Sequence, residues 1–164
     1  MSINYRFVFS DILLLLYEIL QIEVINLNRT RATNCRMKAE DQVLHDLCKR
    51  ILESDKAIRF VGIPNKMGNQ MVSCYRAGLV PLLTQQEVEI FAIESVLRMK
   101  TRKDYESKLG KPIYSFTLYQ KLKRVTISLE SKEYPILMAS LDLEADHENI
   151  IVNKILPLIN EEGL

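Results

Sequence analysis

Side chains that ionise, coordinate or attack are present in this chain, but few of them stand at useful spacing. His45 and Cys48 lie three residues apart, as two zinc ligands on one helix face could, yet no second Cys/His pair follows to complete a site. Cys48 therefore reads as core and His45 as exposed. Asp142, Glu144, Asp146 and His147 form an acidic cluster; a hard cation needs their oxygens to converge, whereas capping the next helix needs only Asp146. Capping is the simpler reading. Cys74 stands beside Tyr75 and Arg76, where a cation could activate a thiol, but a small residue on a strand is the commoner explanation. The phosphate-loop, dinucleotide, zinc-protease and serine-hydrolase signatures are all absent. The expectation is a non-catalytic protein without metal or cofactor.

The remaining charged feature is a cationic cluster. Arg98, Lys100, Arg102 and Lys103 come close together, with Lys108 and Lys111 beyond and Lys121, Lys123 and Arg124 further along. Such a cluster suits phosphates or an acidic protein surface. Without an aromatic stacking platform, nucleic acid is the weaker of the two. The plainer alternative is a cationic helix end with local pairs, since Glu94 and Arg98, and Asp104 and Lys108, are both four apart.

Composition narrows the class further. The 164 residues are 48% hydrophobic and 26% charged, with a net charge of +1, 5 Gly and 5 Pro. That is a globular balance, large enough for one ordinary domain and an extension, with no global field to attract nucleic acid or anionic lipid. Cys35, Cys48 and Cys74 are odd in number and widely spaced, which fits a reducing cytoplasm better than a disulfide framework. Residues 1–36 form an apolar leader or extension. Phe7 to Ile25 is apolar but interrupted by Asp11, Glu18 and Glu23, so it is a poor membrane span and a poor signal peptide. We expect the natural chain to begin at Met37, so that residues 37–164 form the domain. An added amphipathic helix and a membrane anchor are the alternatives.

The elements from Met37 onward follow from periodicity. A helix over about Lys38–Ser54 carries Val43, Leu44, Leu47, Cys48, Ile51 and Leu52 on one stripe. Ala57–Ile63 and Asn69–Tyr75 read as a hairpin around a turn containing Asn65 and Gly68. Thr84 and Glu87 make a capping box that opens a second helix, which is expected to run past Lys103 towards Leu109 and to end at Gly110 and Pro112. Three strands follow: Ile113–Leu118; Leu122–Leu129, whose alternation predicts a wet face or edge; and Tyr134–Leu141, whose apolar run predicts a central place. Asp146 caps a last helix with Ile151, Ile155, Leu158 and Ile159 buried, and Pro157 should kink it or loosen its final turns.

The second helix has two apolar sides. Val88, Phe91, Ala92, Ser95 and Met99 fall along one, and Ile90, Ile93 and Leu97 along the other. One side can rest on a sheet, and the other needs a second cover, most naturally another subunit. Truncating Val88 or Phe91 is expected to cost folding, about 3 kcal/mol for a buried Phe→Ala. Met67, Met71, Met99 and Met138 read as gap-filling core.

The stretch AIRFVGIPNKMGNQMVSCYRAGLVPLL resembles the first hairpin of Roadblock-like domains. IRFVGIPNKMGN, RMKTRKDYESKLG and the strand beginning PIYSF are similar to a family of small uncharacterised archaeal proteins. The resemblance covers roughly Ala39–Ile159. It implies an α+β fold, helix–strand–strand–helix–three strands–helix, with a five-stranded antiparallel sheet between the two-faced helix and the other two. It also implies a homodimer paired through the central helix and the strand after it, serving as a scaffold or as a platform for a small GTPase. The implied contacts are Ile90, Ile93, Leu97, Ile113, Tyr114, Phe116 and Leu118, with Arg98, Lys100, Arg102 and Lys103 facing an acidic partner. Neither nucleic-acid binding nor stable membrane insertion is expected. The runner-up is a PAS- or profilin-like sensor that holds a small apolar molecule between sheet and helix.

Overall fold

The computed structural model describes residues 40–69 and 72–164. The readings for residues 1–36 and for Met71 lie outside the described residues. The unit that carries the fold runs from Gln42 to Leu164. Its elements are α1 (40–54), β1 (Ile58–Ile63), β2 (Val72–Tyr75), α2 (Gln85–Lys103), α3 (Glu106–Leu109), β3 (Tyr114–Leu118), β4 (Lys123–Ser128), β5 (Ile136–Leu141), α4 (His147–Ile150), a π-helical turn (Ile151–Ile155) and α5 (Leu156–Glu162). The five strands form one antiparallel sheet in the order β2-β1-β5-β4-β3.

β5 lies at the centre, as its apolar run predicts, and all six of its residues are buried. Strand alternation divides them between two cores. Leu137, Ala139 and Leu141 join Val61, Ile63, Val125 and Ile127 beneath Leu44, Leu47, Cys48 and Ile51 of α1 and Ile150, Ile151, Ile155 and Ile159 of the terminal helical run. Ile136 and Met138 turn the other way and pack with Phe60 against Val88, Ala92, Val96 and Met99 of α2. The three-layer arrangement implied by the resemblance is the one observed.

Several local expectations are corrected. Val43 is exposed on α1, and Met67 is exposed on the hairpin turn rather than filling a gap; Met99 and Met138 are buried. The central helix does not continue to Leu109. The Tyr105 amide donates to the Arg102 carbonyl in a tight turn, and a separate α3 follows until Gly110. Tyr105 and Leu109 are both exposed, so no packed stripe holds the helix straight across this point. The terminal helix responds to Pro157 upstream of the proline. Pro cannot donate to the ladder, and the preceding turn widens so that the Leu156 amide reaches the Ile151 carbonyl. Asp146 caps α4 through the Asn149 amide at 3.2 Å.

Ion pairs tie the layers at their ends. Arg50 of α1 engages Glu161 and Glu162 of α5. Lys154 reaches Asp55 at 2.7 Å. Asp142, just after β5, accepts from Arg76 at 2.6 Å and from Arg59 at 2.8 Å, while Arg76 also donates to the Lys56 carbonyl. The acidic cluster read from the sequence is thus divided: Asp142 belongs to an arginine clamp and Asp146 to a helix cap.

These pairs set an acid limit. Arg76, with Arg59, holds the Asp142 carboxyl below its ordinary value, and Lys154 with the Ala57 amide does the same for Asp55. A depressed carboxyl contributes stability above its unfolded pKa of about 3.9 and loses it as pH falls through the folded value. The urea midpoint should therefore fall between about pH 5 and pH 3, and Asp142→Asn should flatten part of that fall. A variant with an unchanged pH profile would show that the clamp is silent.

Candidate functional site

The central helix is fixed at its start. The Thr84 hydroxyl oxygen accepts from the Glu87 amide at 3.3 Å, and the Glu87 carboxylate accepts from the Thr84 amide at 2.8 Å, which is the reciprocal capping box. The Thr84 amide, then its hydroxyl, holds the Glu87 carboxyl below its ordinary value. From this start the helix presents Val88, Ala92, Ser95, Val96 and Met99 to the sheet, all buried. Its opposite side carries Ile90, Ile93 and Leu97, which are 51%, 40% and 57% exposed. Glu89, held by Gln85, and the Glu94–Arg98 pair lie around this apolar stripe. A contiguous apolar stripe within a polar surround is the pattern of an interaction surface.

The β1–β2 turn braces the middle of the stripe. Asn65 is buried, and its side-chain oxygen accepts from the Met67 amide at 3.0 Å, while the Gly68 amide donates to the Asn65 carbonyl at 2.8 Å. Gly68 has φ +81°, and a Cβ there would lie 2.4 Å from Ile93 Cα. Only glycine satisfies both the backbone angle and the approach.

β3 is an edge strand, with β4 as its one sheet neighbour. Ile113 before it and Leu118 at its end are exposed. Tyr114 and Phe116 are half-buried against the core shared with α1, and Phe116 stacks on His147 with ring centroids 4.0 Å apart. The sequence-derived set therefore divides into an outer helix stripe, two exposed residues at the strand ends, and two rings turned to the face away from α2. At an edge contact, Tyr114 and Phe116 offer chiefly their backbone groups.

The cationic cluster is not one continuous patch. Arg98 bonds to Glu94 and Ser95 and lies 5.2 Å from the Phe91 ring centroid. Arg102 donates to the Arg98 carbonyl. Lys100 is exposed and Lys103 half-buried. Lys111 pairs with Glu130, Lys123 donates to the Ala145 carbonyl, and Arg124 is buried over the Phe91 ring at 3.5 Å. Phe91 is itself only half-buried, which lowers the folding cost expected for its truncation. Sequence reasoning missed the Phe91–Arg124 stack because Arg124 occupies a polar position in the β4 alternation, on the side of the sheet expected to be wet.

Neither of the two described cysteines, Cys48 and Cys74, shows a sign of activation. Burial, with Cys74 adding to it, pushes the Cys48 thiol up to about 12, and burial also raises Cys74. Among the described residues, no three His, Cys, Asp or Glu side chains converge as metal ligands. Nor is any described helix long and apolar enough to cross a membrane.

No protein-family model matches the chain, and no curated protein matches it in sequence. Solved structures do. MglB of Myxococcus xanthus is similar with a TM-score of 0.57 at 14% identity, over 75% of this chain and 86% of that one. The gliding protein MglB from Thermus thermophilus gives 0.54 at 12%, over 75% and 90%. A Roadblock/LC7 domain from Streptomyces avermitilis gives 0.51 at 11%, over 70% and 90%. At these identities the likeness establishes the fold, which is Roadblock-like.

The two sides of α2 should separate in mutagenesis. Met99→Ala should lower the unfolding free energy by about 2–5 kcal/mol, and Gly68→Ala by on the order of 2 kcal/mol. Leu97→Ala should change the stability of an isolated chain by no more than about 0.5 kcal/mol. Urea titrations at a concentration where the chain is monomeric provide the comparison; equal losses at Met99 and Leu97 would contradict the assignment of sides.

Proposed function

We propose that this chain is a non-catalytic scaffold or regulatory module that works as a homodimer in the cytoplasm, with residues 37–164 as its Roadblock-like domain and residues 1–36 as a leader or extension. The observation that carries this reading is the exposed Ile90–Ile93–Leu97 stripe on α2, a helix that already has its other side on the sheet. Leaving such a stripe in water sacrifices roughly 25 cal/mol for each Å² of apolar surface. A second copy presenting the same stripe covers it symmetrically. The β3 edge, with Ile113 and Leu118 beside it, extends the contact, and its unpaired backbone groups suit strand-to-strand pairing.

The Roadblock resemblance extends the reading to a partner. A dimer of this fold suits a platform for a small GTPase or another protein with an acidic surface, with Lys100 and Lys103 as its least encumbered cations and Arg98 and Arg102 beside them.

Light scattering on a sizing column tests the dimer. The chain should elute with twice its own mass, and Ile93→Glu should elute as a monomer. Because Ile93 also touches Gly68, Leu97→Glu serves as the second variant, placed on the same stripe beyond that contact. Dimers that persist in both variants would remove this stripe from the interface.

A further inference from the structure

On the face of the sheet beneath α2, cross-strand rows run across all five strands, and one of them carries a buried charge. Tyr75, Phe60, Ser140, Arg124 and Thr117 are successive cross-strand neighbours on β2, β1, β5, β4 and β3. Tyr75 and Phe60 form a tilted ring pair at 4.7 Å. Arg124 is the anomaly in the row. It is 9% exposed, and among the described residues no carboxylate pairs with it. Burial pushes its guanidinium down to about 10; the phenols of Tyr119 and Tyr75 act in the opposite direction, and Arg98 adds to the lowering.

A buried cation needs compensation. Phe91 supplies it on one face only, through the ring 3.5 Å away. The five N–H donors of a guanidinium lie in its plane, so stacking leaves them unused. Every buried side-chain nitrogen and oxygen among the described residues has either a partner or contact with solvent. The Arg124 donors have no protein partner among the described residues, so they open to solvent.

Arg124 lines two clefts: a small one of about 50 Å³ shared with Tyr75 and Ser140, and an apolar one of about 520 Å³ between the segment before α2 and the β3–β4 turn, the latter walled by Leu82, Leu83, Phe91, Tyr119 and Leu122. Lys121 also lines it, and no acidic residue does. Its size lies within the range that encloses a small molecule. Leu82, Leu83 and Tyr119 are exposed along the cleft, so an occupant with an apolar body would cover them.

We propose that this cleft binds a small amphiphilic carboxylate, whose apolar body rests on Leu82, Leu83, Leu122 and Tyr119 and whose carboxylate meets the free in-plane donors of Arg124. The planar fork of an arginine matches the two carboxylate oxygens. A narrow anion can reach a guanidinium at the base of a cleft, whereas a flat acidic surface cannot. The proposal does not rest on dimer formation.

Octanoate and octanamide, titrated calorimetrically into the full chain, form the test. Octanoate should bind saturably at one site per chain and raise the thermal midpoint. Octanamide, with the same apolar body and no charge, should bind at least about tenfold more weakly. Arg124→Gln should erase that preference. Leu83→Glu, at an exposed position of the cleft wall and outside the Phe91–Arg124 pair itself, should abolish octanoate binding with the fold intact, and it keeps the test decisive if Arg124→Gln fails to fold. Absent saturation, equal affinity for the two probes, or octanoate binding unchanged in Leu83→Glu would each overturn the proposal.

Discussion

Burial of β5 on both faces is the constraint from which the rest of the structure follows. A strand wet on one side can be covered by a single layer, but Ile136–Leu141 requires two. Period-two alternation sends Leu137, Ala139 and Leu141 to one side and Ile136, Met138 and Ser140 to the other. The first side receives two helical packing partners, α1 and the terminal run, and forms the larger core. Among the described residues the second receives only α2, which meets the sheet along one buried stripe. A single helix on a five-stranded face cannot cover it all. The cleft beside Arg124 and the open stripe on the helix both arise on this thinly covered side.

Charge is distributed accordingly. On the side with the larger core, the ionic contacts lie at element ends: Arg50 with Glu161 and Glu162, and Lys154 with Asp55, where they fix helices without entering the core. Arg59, Arg76 and Asp142 close the end of β1, β2 and β5 in the same manner. Arg124 breaks the pattern. It lies within the sheet under a helix, held by an aromatic face instead of an anion. Exposed ion pairs contribute little to stability, so the separate layers depend mainly on apolar burial.

Much of the fold was legible in the sequence because its elements obey local rules. The capping box at Thr84, the cap at Asp146, the alternation in β4 and the unbroken apolar run of β5 each have a short-range cause, and they lead to the correct order and layers. The split between inner and outer residues of α2 was legible for the same reason, since a period of 3.6 is a property of the chain itself. What failed depended on distant partners. The break after Lys103 reflects a missing packing surface, the exposure of Met67 reflects a turn pressed onto a helix, and the burial of Arg124 depends on Phe91, thirty-three positions away. The resemblance to Roadblock-like domains supplied the single five-stranded antiparallel sheet and its layers, while the strand order came from the structure.

The seat of Gly68 on the Ile93 backbone also limits how α2 can move. A helix that slides along its axis by one residue travels about 1.5 Å, and here that step would drive the Ile93 side chain into the turn, because its Cγ1 already stands 2.7 Å from where a Cβ on Gly68 would be. The turn and the middle of α2 therefore sit backbone to backbone, and a displacement of the helix towards this joint has to be met by the β1–β2 hairpin.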